Sequence, residues 1–128
     1  MTGAAERLYR LPVTRWPRSV YEIGTEPDPR FSLANERTFL AWLRTSLALM
    51  AGGVGFAALA PSHHVLQLAV AVALLVTGIV CSLAALQHWI ACERALRTGR
   101  PLPSPWMAAV LGIGLAVTGI LACVLVVT

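Results

Sequence analysis

The sequence has no lysine and few charged residues of any kind. Only 12% of its 128 residues are charged, whereas soluble globular domains carry about 25%. Hydrophobic residues make up 57% of the chain. They are concentrated in runs of roughly 20 residues, the length that crosses the hydrocarbon of a bilayer as an α-helix. The scarcity of charge argues against a soluble domain and predicts an all-α integral membrane protein.

Cysteine and histidine are also scarce, and neither forms a recognisable metal or redox motif. The cysteines Cys81, Cys92 and Cys123 fall at different predicted depths in the membrane, so we expect no disulfide among them. The adjacent His63 and His64 lack a third ligand in their loop, which makes a weak metal site. We therefore predict no metal and no cofactor.

The residue sets that carry catalysis are missing as well. The chain has no Ser/His/Asp set, no Cys/His pair, no phosphate loop and no paired carboxylates. Its net charge of +4 is not arranged as a basic stripe with interleaved aromatic residues, the pattern typical of nucleic-acid binding. We predict a protein that is not an enzyme and does not bind nucleic acid.

Three apolar segments predict three transmembrane helices. The predicted spans are residues 38–60, 65–87 and 106–127, inside a membrane domain of residues 28–128 that follows an N-terminal tail of residues 1–27. The tail has no apolar core of the length of a signal peptide, so we expect the first span to act as its own insertion signal. A mobile tail is favoured over a patch that lies on the membrane surface.

The arginines indicate how these helices are oriented. Arginine flanks the N-terminal side of the first span and fills the connection between the second and third spans, whereas the first loop and the C-terminus have none. By the positive-inside rule the N-terminus is cytosolic and the C-terminus lies outside. We therefore predict a multi-pass protein of the plasma (inner) membrane.

Helix start and stop signals extend two of the helices beyond their spans. Asp28 and Pro29 favour a helix start, with aspartate as the cap and proline at the first helical position, and Pro61 ends that helix. The second helix is expected to continue as far as Arg97, before Gly99 terminates it.

The first helix combines arginine with small residues. At 100° per residue, Arg37 and Arg44 share one stripe with small residues, namely Ala41, Ala48, Gly52 and Gly55. Because small residues let transmembrane helices approach closely, we expect this stripe to face protein. The opposite side, with Phe39 and Met50, is then expected to face lipid.

Arg37, Arg44, Arg94 and Arg97 are the candidate anion-binding residues. Arg44 lies about 10 Å further along the helix axis than Arg37, where it is either an anion contact or an anchor that reaches back to the headgroups. Glu36 is the candidate for a structural ion pair, with Arg94 or Arg97 as its partner.

Residues 30–45, RFSLANERTFLAWLRT, closely resemble the signature of the YidH-type family of small three-span membrane proteins, a domain of unknown function. The segment with Trp89 and Glu93–Arg97, followed by Pro101–Pro103, resembles that family's second motif. The resemblance covers about residues 28–128 and implies the same three-helix membrane fold.

Eukaryotic proteins that resemble this family form the membrane part of the vacuolar transporter chaperone complex, where several copies enclose a basic pore for polyphosphate. They share the run at Ala34–Leu40. The resemblance therefore implies that Glu36 and Arg37 help to form a pore entrance on the cytosolic side.

Two hypotheses of function remain open at this point. In the first, the protein forms a homo-oligomer or a hetero-oligomer in the bilayer, and Arg37 and Arg44 bind or conduct an anion such as phosphate or polyphosphate. In the second, it is a non-transporting accessory or scaffold subunit whose arginines bind lipid headgroups. Three helices cannot enclose a conducting pore, so the oligomeric state separates the two.

Overall fold

A computed structural model describes residues 15–59 and 65–127 of the chain. These residues form no strand and four helices, which are α1 (Arg18–Tyr21), α2 (Pro29–Leu59), α3 (Val65–Thr98) and α4 (Trp106–Val127). The last three are each long and apolar enough to cross a membrane. The prediction of an all-α protein with three membrane-spanning helices is therefore confirmed.

The start of α2 follows the predicted cap. The side-chain Oδ1 of Asp28 accepts the backbone N–H of Arg30 at 3.0 Å, and this bond satisfies one of the amides that have no partner within the helix. Pro29 occupies the first helical position, where a missing N–H costs nothing. From there α2 runs without interruption to Leu59.

The end of α3 also lies where the sequence predicts it. The helix continues to Thr98, and Gly99 then takes a positive φ of 65°, a conformation that favours glycine. The backbone N–H of Arg100 donates to the carbonyl oxygen of Ala95 at 3.0 Å, the bond typical of a glycine-terminated helix.

Both α2 and α3 are longer than a bilayer requires. Their 31 and 34 residues correspond to about 46 Å and 51 Å, against about 30 Å of hydrocarbon. The two helices are antiparallel, because Ser32 of α2 bonds to Glu93 of α3. The N-terminal turns of α2 and the C-terminal turns of α3 therefore project at one end of the molecule, which we call the polar end (residues 15–36 and 88–105).

The central element of the fold is α3. Its two neighbours α2 and α4 pack on it separately and make no close backbone approach to each other. Eleven residues of α3 are buried, whereas α2 and α4 bury two each. The helices form an open row, and the outer faces of α2 and α4 stay available for lipid or for other proteins.

The face through which α2 packs on α3 differs from the expectation. Ser46 and Gly53 of α2 are buried, and a Cβ added to Gly78 of α3 would lie 2.6 Å from Met50 Cγ. Phe39 packs against a buried cluster formed by Ala84 and Ala85 of α3 and Met107 of α4. The prediction that Phe39 and Met50 face lipid is therefore wrong, because both contact protein within this chain.

The predicted stripe of small residues is instead exposed in the single chain. A Cβ added to Gly52 or Gly55 would meet no other atom within 4 Å. Exposure extends along the stripe to Arg37, Ala41, Arg44 and Ala48. Within one chain the stripe does not face protein. The reason lies in α3, because Gly78 leaves room for the opposite side of α2. The sequence pattern of α2 alone does not show which of its sides fits against α3.

Residues 15–27 are packed onto the last turns of α3. Val20 of α1 is completely buried, and the backbone N–H of Thr25 donates to the carbonyl oxygen of Arg97 at 3.1 Å. Gly24 has a φ of +66°, and a Cβ there would collide with the same carbonyl group. Residues 15–27 are therefore a packed segment in this structure, the mobility of the tail stays a prediction, and residues 1–14 lie outside the described part of the chain.

Candidate functional site

A buried carboxylate organises the polar end. Glu93 is only 2% exposed. Its Oε1 accepts the hydroxyl of Ser32 at 3.1 Å, and its Oε2 accepts the side-chain amide of Asn35 at 3.5 Å. The same amide donates to the carbonyl oxygen of Trp89 at 3.1 Å. These bonds join α2 to α3 through residues more than fifty positions apart, and they replace part of the hydration that the carboxylate loses on burial.

The positive partner of this carboxylate is Arg97, one helical turn further along α3. Its Nε lies 3.5 Å from Glu93 Oε1 in a geometry that makes no hydrogen bond, so the attraction is that of an ion pair. Its Nη1 donates to the carbonyl oxygen of Tyr21 at 3.3 Å, and its Cζ lies 4.7 Å from the centroid of the Tyr21 ring. This cation–π contact holds the N-terminal segment against α3.

Beside this network lies a cleft with a volume of about 360 Å³, which we call the end cleft. It lies between the N-terminal segment, the first turns of α2 and the last turns of α3. The residues that line it are Arg15, Tyr21, Glu26, Pro27, Pro29, Ser32, Leu33, Glu36, Trp89, Glu93 and Arg97. Its volume falls in the range of roughly 300–1,000 Å³ typical of small-molecule sites.

The four candidate arginines do not form one cluster within a single chain. Arg37 and Arg44 lie on the exposed face of α2, and Arg94 is exposed on α3. The side chains of these three make no ion pair and no hydrogen bond with another described residue. Arg97 differs from them, because it is 7% exposed and its guanidinium already contacts Glu93 and Tyr21. The predicted anion-binding roles of all four remain predictions.

The ion pair predicted for Glu36 is not formed among the described residues. Glu36 is exposed at the rim of the end cleft, and Arg97 pairs with Glu93 instead. Arg97 pairs with Glu93 because of the positions of these residues on their helices. Residues four positions apart on one helix are neighbours, so Glu93 reaches Arg97 within α3, whereas Glu36 lies 100° around α2 from the inward-facing Asn35.

The buried network contains residues that sequence reasoning did not assign to a site. Glu93 was overlooked although its spacing of four from Arg97 is typical of a helical ion pair. Ser32 and Asn35 stand three positions apart on α2, on the side that faces Glu93, and this spacing is also visible in the sequence. The contact of Tyr21 with Arg97 leaves no signal in the sequence, because it depends on how residues 15–28 fold back.

A second, more apolar groove lies on another side of the polar end. It has a volume of about 230 Å³, and Phe31, Thr38 and Leu102 are among the residues that line it. His88 and Cys92 also line this groove, with Cys92 Sγ 3.4 Å from His88 Nε2. The expectation of no Cys/His pair is therefore wrong, because residues four positions apart on one helix are neighbours. All three described cysteines are free thiols.

No group of three or more metal-ligating side chains occurs in residues 15–59 and 65–127. His63 and His64, the weak candidate pair, lie outside this part of the chain.

Comparison with known proteins places these features in a family. The model of a domain of unknown function (DUF202) matches residues 30–95, which include most of α2 and nearly all of α3. The chain is 42% identical over 104 residues to "Uncharacterized protein Rv2272" of Mycobacterium tuberculosis, covering 80% of this chain and 85% of that protein. It is 43% identical over 86 residues to "Inner membrane protein YidH" of Escherichia coli K12, covering 66% of this chain and 75% of that protein. No solved structure matches the chain.

Proposed function

The chain belongs to the DUF202 family, and we propose that this multi-pass inner-membrane protein forms an oligomer that binds or conducts phosphate or polyphosphate through Arg37 and Arg44. Its place in the inner membrane follows from the three apolar helices and from the similarity to YidH. The family is defined without an activity, so the proposed anion binding depends on the residues of this chain.

One observation supports the proposal most directly. Arg37 and Arg44 lie seven residues apart on one stripe of α2, exposed and without an acidic partner among the described residues. A cation in or beside the hydrocarbon is costly unless it has a partner. The planar guanidinium group can donate two hydrogen bonds to one phosphate, so an anion of this class is the partner that best fits both side chains.

Assembly of several copies is the second part of the proposal. The open row of α2, α3 and α4 encloses no channel, so conduction needs more than one chain. Gly52 and Gly55 leave open space on the stripe that carries the two arginines, and a neighbouring helix can approach closely there. Such a contact would bring the arginines of several copies towards a common interior.

The proposal also includes the orientation of the polar end towards the cytosol. Nearly all described arginines lie at or near that end, whereas residues 45–59 and 65–92 contain no charged side chain. A positive-inside distribution of this kind favours cytosolic retention of the polar end. A reporter fused to the C-terminus and fluorescent in the cytosol would contradict this orientation.

The decisive experiment combines copy number with anion flux. Native mass spectrometry of the protein in nanodiscs gives the copy number, and liposomes loaded with phosphate or polyphosphate give the flux. We expect a closed oligomer, with flux reduced about tenfold or more by Arg37→Ala or Arg44→Ala, the loss of one charged hydrogen bond. Arg30→Ala is the matched control, because Arg30 is exposed on the same helix outside the apolar stretch.

The alternative function is an accessory or scaffold subunit whose arginines bind lipid headgroups. It is favoured by the depth of Arg44, since a long side chain can reach back to the membrane surface. Arg44→Lys separates the two hypotheses, because lysine keeps the charge but loses the bidentate fork. A monomer, or a wild-type protein without flux, would exclude conduction and leave the scaffold. A flux that survives both alanine variants would exclude Arg37 and Arg44 as the residues that carry it.

A further inference from the structure

We propose that the end cleft is a binding site for an ethanolamine-type group, meaning a primary ammonium with an oxygen atom two carbons away. The site differs from the proposed anion site in position and in charge. Its three contributors are the carboxylate of Glu36, the aromatic ring of Trp89 and the guanidinium group of Arg97.

The charge balance of the cleft favours a cation. Five charged side chains line it, and four of them form two pairs. Arg15 Nη1 lies 2.9 Å from Glu26 Oε1, and Arg97 Nε lies 3.5 Å from Glu93 Oε1. Glu36 is left without an ionic partner among the described residues, so the lining carries one net negative charge.

Two of the residues that line the cleft are already held in place without a ligand. Glu93 and Arg97 are 2% and 7% exposed, and both are held by hydrogen bonds to α2 or to the N-terminal segment. A ligand would therefore find the site already ordered, which lowers the entropic cost of binding. The exposed Glu36 then acts as the adaptable group that receives the ammonium as a charge-assisted hydrogen bond.

An aromatic ring adds a second attraction for a cation. Trp89 lines the cleft, and a positive group within about 6 Å of a ring centroid is attracted by its π face. Tyr21 lines the cleft as well, but its ring already contacts two guanidinium groups, since Arg97 Cζ lies 4.7 Å and Arg15 Cζ lies 5.9 Å from its centroid.

A third observation points to an oxygen atom beside the ammonium. Arg97 is the most deeply buried positive group lining the cleft, and its Nε has no hydrogen-bond partner among the described residues. A buried donor without a partner costs free energy. Nε itself is enclosed beside Glu93 Oε1, 3.5 Å away, so a ligand oxygen would act by accepting from the guanidinium group and allowing the side chain to turn until Nε donates to Glu93.

Two sources offer this chemistry at the membrane surface. One is the headgroup of phosphatidylethanolamine, because the cleft lies where the apolar run of α2 begins. The other is free ethanolamine in water. The same experiment tests both, with the protein in nanodiscs of equal parts phosphatidylethanolamine and phosphatidylglycerol for the lipid, and of phosphatidylglycerol alone for titration with ethanolamine.

We expect the wild-type protein to retain phosphatidylethanolamine preferentially by native mass spectrometry, or to bind free ethanolamine by calorimetry. Preference in the first arm alone assigns the lipid, and binding in the second arm assigns the soluble amine. Glu36→Gln should weaken the observed binding about tenfold, the effect of one charge-assisted hydrogen bond.

Glu22→Gln is the matched control, because Glu22 is an exposed carboxylate of the same end that does not line the cleft. It should leave binding unchanged. Both substitutions are at exposed positions, so both variants are expected to fold. The proposal is overturned if the wild-type protein binds neither probe, or if Glu36→Gln and Glu22→Gln behave alike.

Discussion

Alanine substitution at two adjacent glycines of α2 should change the stability of the protein in opposite directions. A Cβ at Gly53 would lie 2.8 Å from the carbonyl oxygen of Ala71 and 2.9 Å from Leu75 Cγ, whereas a Cβ at Gly52 would meet nothing within 4 Å. Non-bonded carbon atoms prefer about 3.5–4.0 Å. Gly53→Ala therefore forces α2 and α3 apart at their crossing, and Gly52→Ala does not.

The size of the expected effect is the difference in stability between the two variants. Each gains about 1 kcal/mol of helix propensity when glycine becomes alanine, and this gain cancels in the comparison. Overpacking a close contact costs about 1–3 kcal/mol, and the carbonyl oxygen of Ala71 belongs to backbone that cannot turn aside. We expect Gly53→Ala to be less stable than Gly52→Ala by about 1–3 kcal/mol.

Reversible unfolding in mixed micelles, titrated with sodium dodecyl sulfate and followed by circular dichroism, measures this difference. The two variants have the same composition and differ only in the face of α2 that carries the new methyl group. Equal stability of the two variants would show that α2 does not pack on α3 through Gly53. Lower stability of Gly52→Ala would show that the stripe with Arg37 is the packed face.

Two further predictions concern the polar end. Glu93→Gln leaves the buried Arg97 without a counter-charge and should cost about 3 kcal/mol in the same unfolding assay; adding Arg97→Met should recover part of this loss, and strictly additive effects would contradict a direct pair. Gly24→Ala places a side chain at a φ of +66° against the Arg97 carbonyl, at a cost of about 1–2 kcal/mol for the left-handed conformation alone. It should release the N-terminal segment and accelerate hydrogen exchange of the Thr25 amide, whereas unchanged exchange would contradict the packing of residues 15–27.

The end cleft and the proposed anion site lie next to each other. Glu36 and Arg37 are adjacent in the chain but point 100° apart, one to the cleft and the other to the exposed stripe. The acidic cleft of the polar end therefore lies beside the start of the basic stripe of α2. Substitutions at the two positions should have separable effects, on ammonium binding for Glu36 and on anion flux for Arg37.

Local rules were sufficient for the helices themselves. The length of the apolar runs predicted three spanning segments, and the Asp28–Pro29 start and the Gly99 stop were read correctly. These features depend on residues close in the chain, since a cap, a terminating glycine and a hydrophobic run each act within a few positions. The same holds for the Glu93–Arg97 pair, whose spacing of four is visible in the sequence.

Only the tertiary structure decided which faces meet. The pattern of α2 offered two candidate faces, one small and basic and one with Phe39 and Met50, and Gly78 of α3 selected the second by leaving room for it. The burial of Glu93 likewise depends on Ser32 and Asn35, which lie about sixty residues away in the chain. Such choices follow from close packing between distant segments, and periodicity along one helix describes its own surface but not the shape of the partner that will cover it.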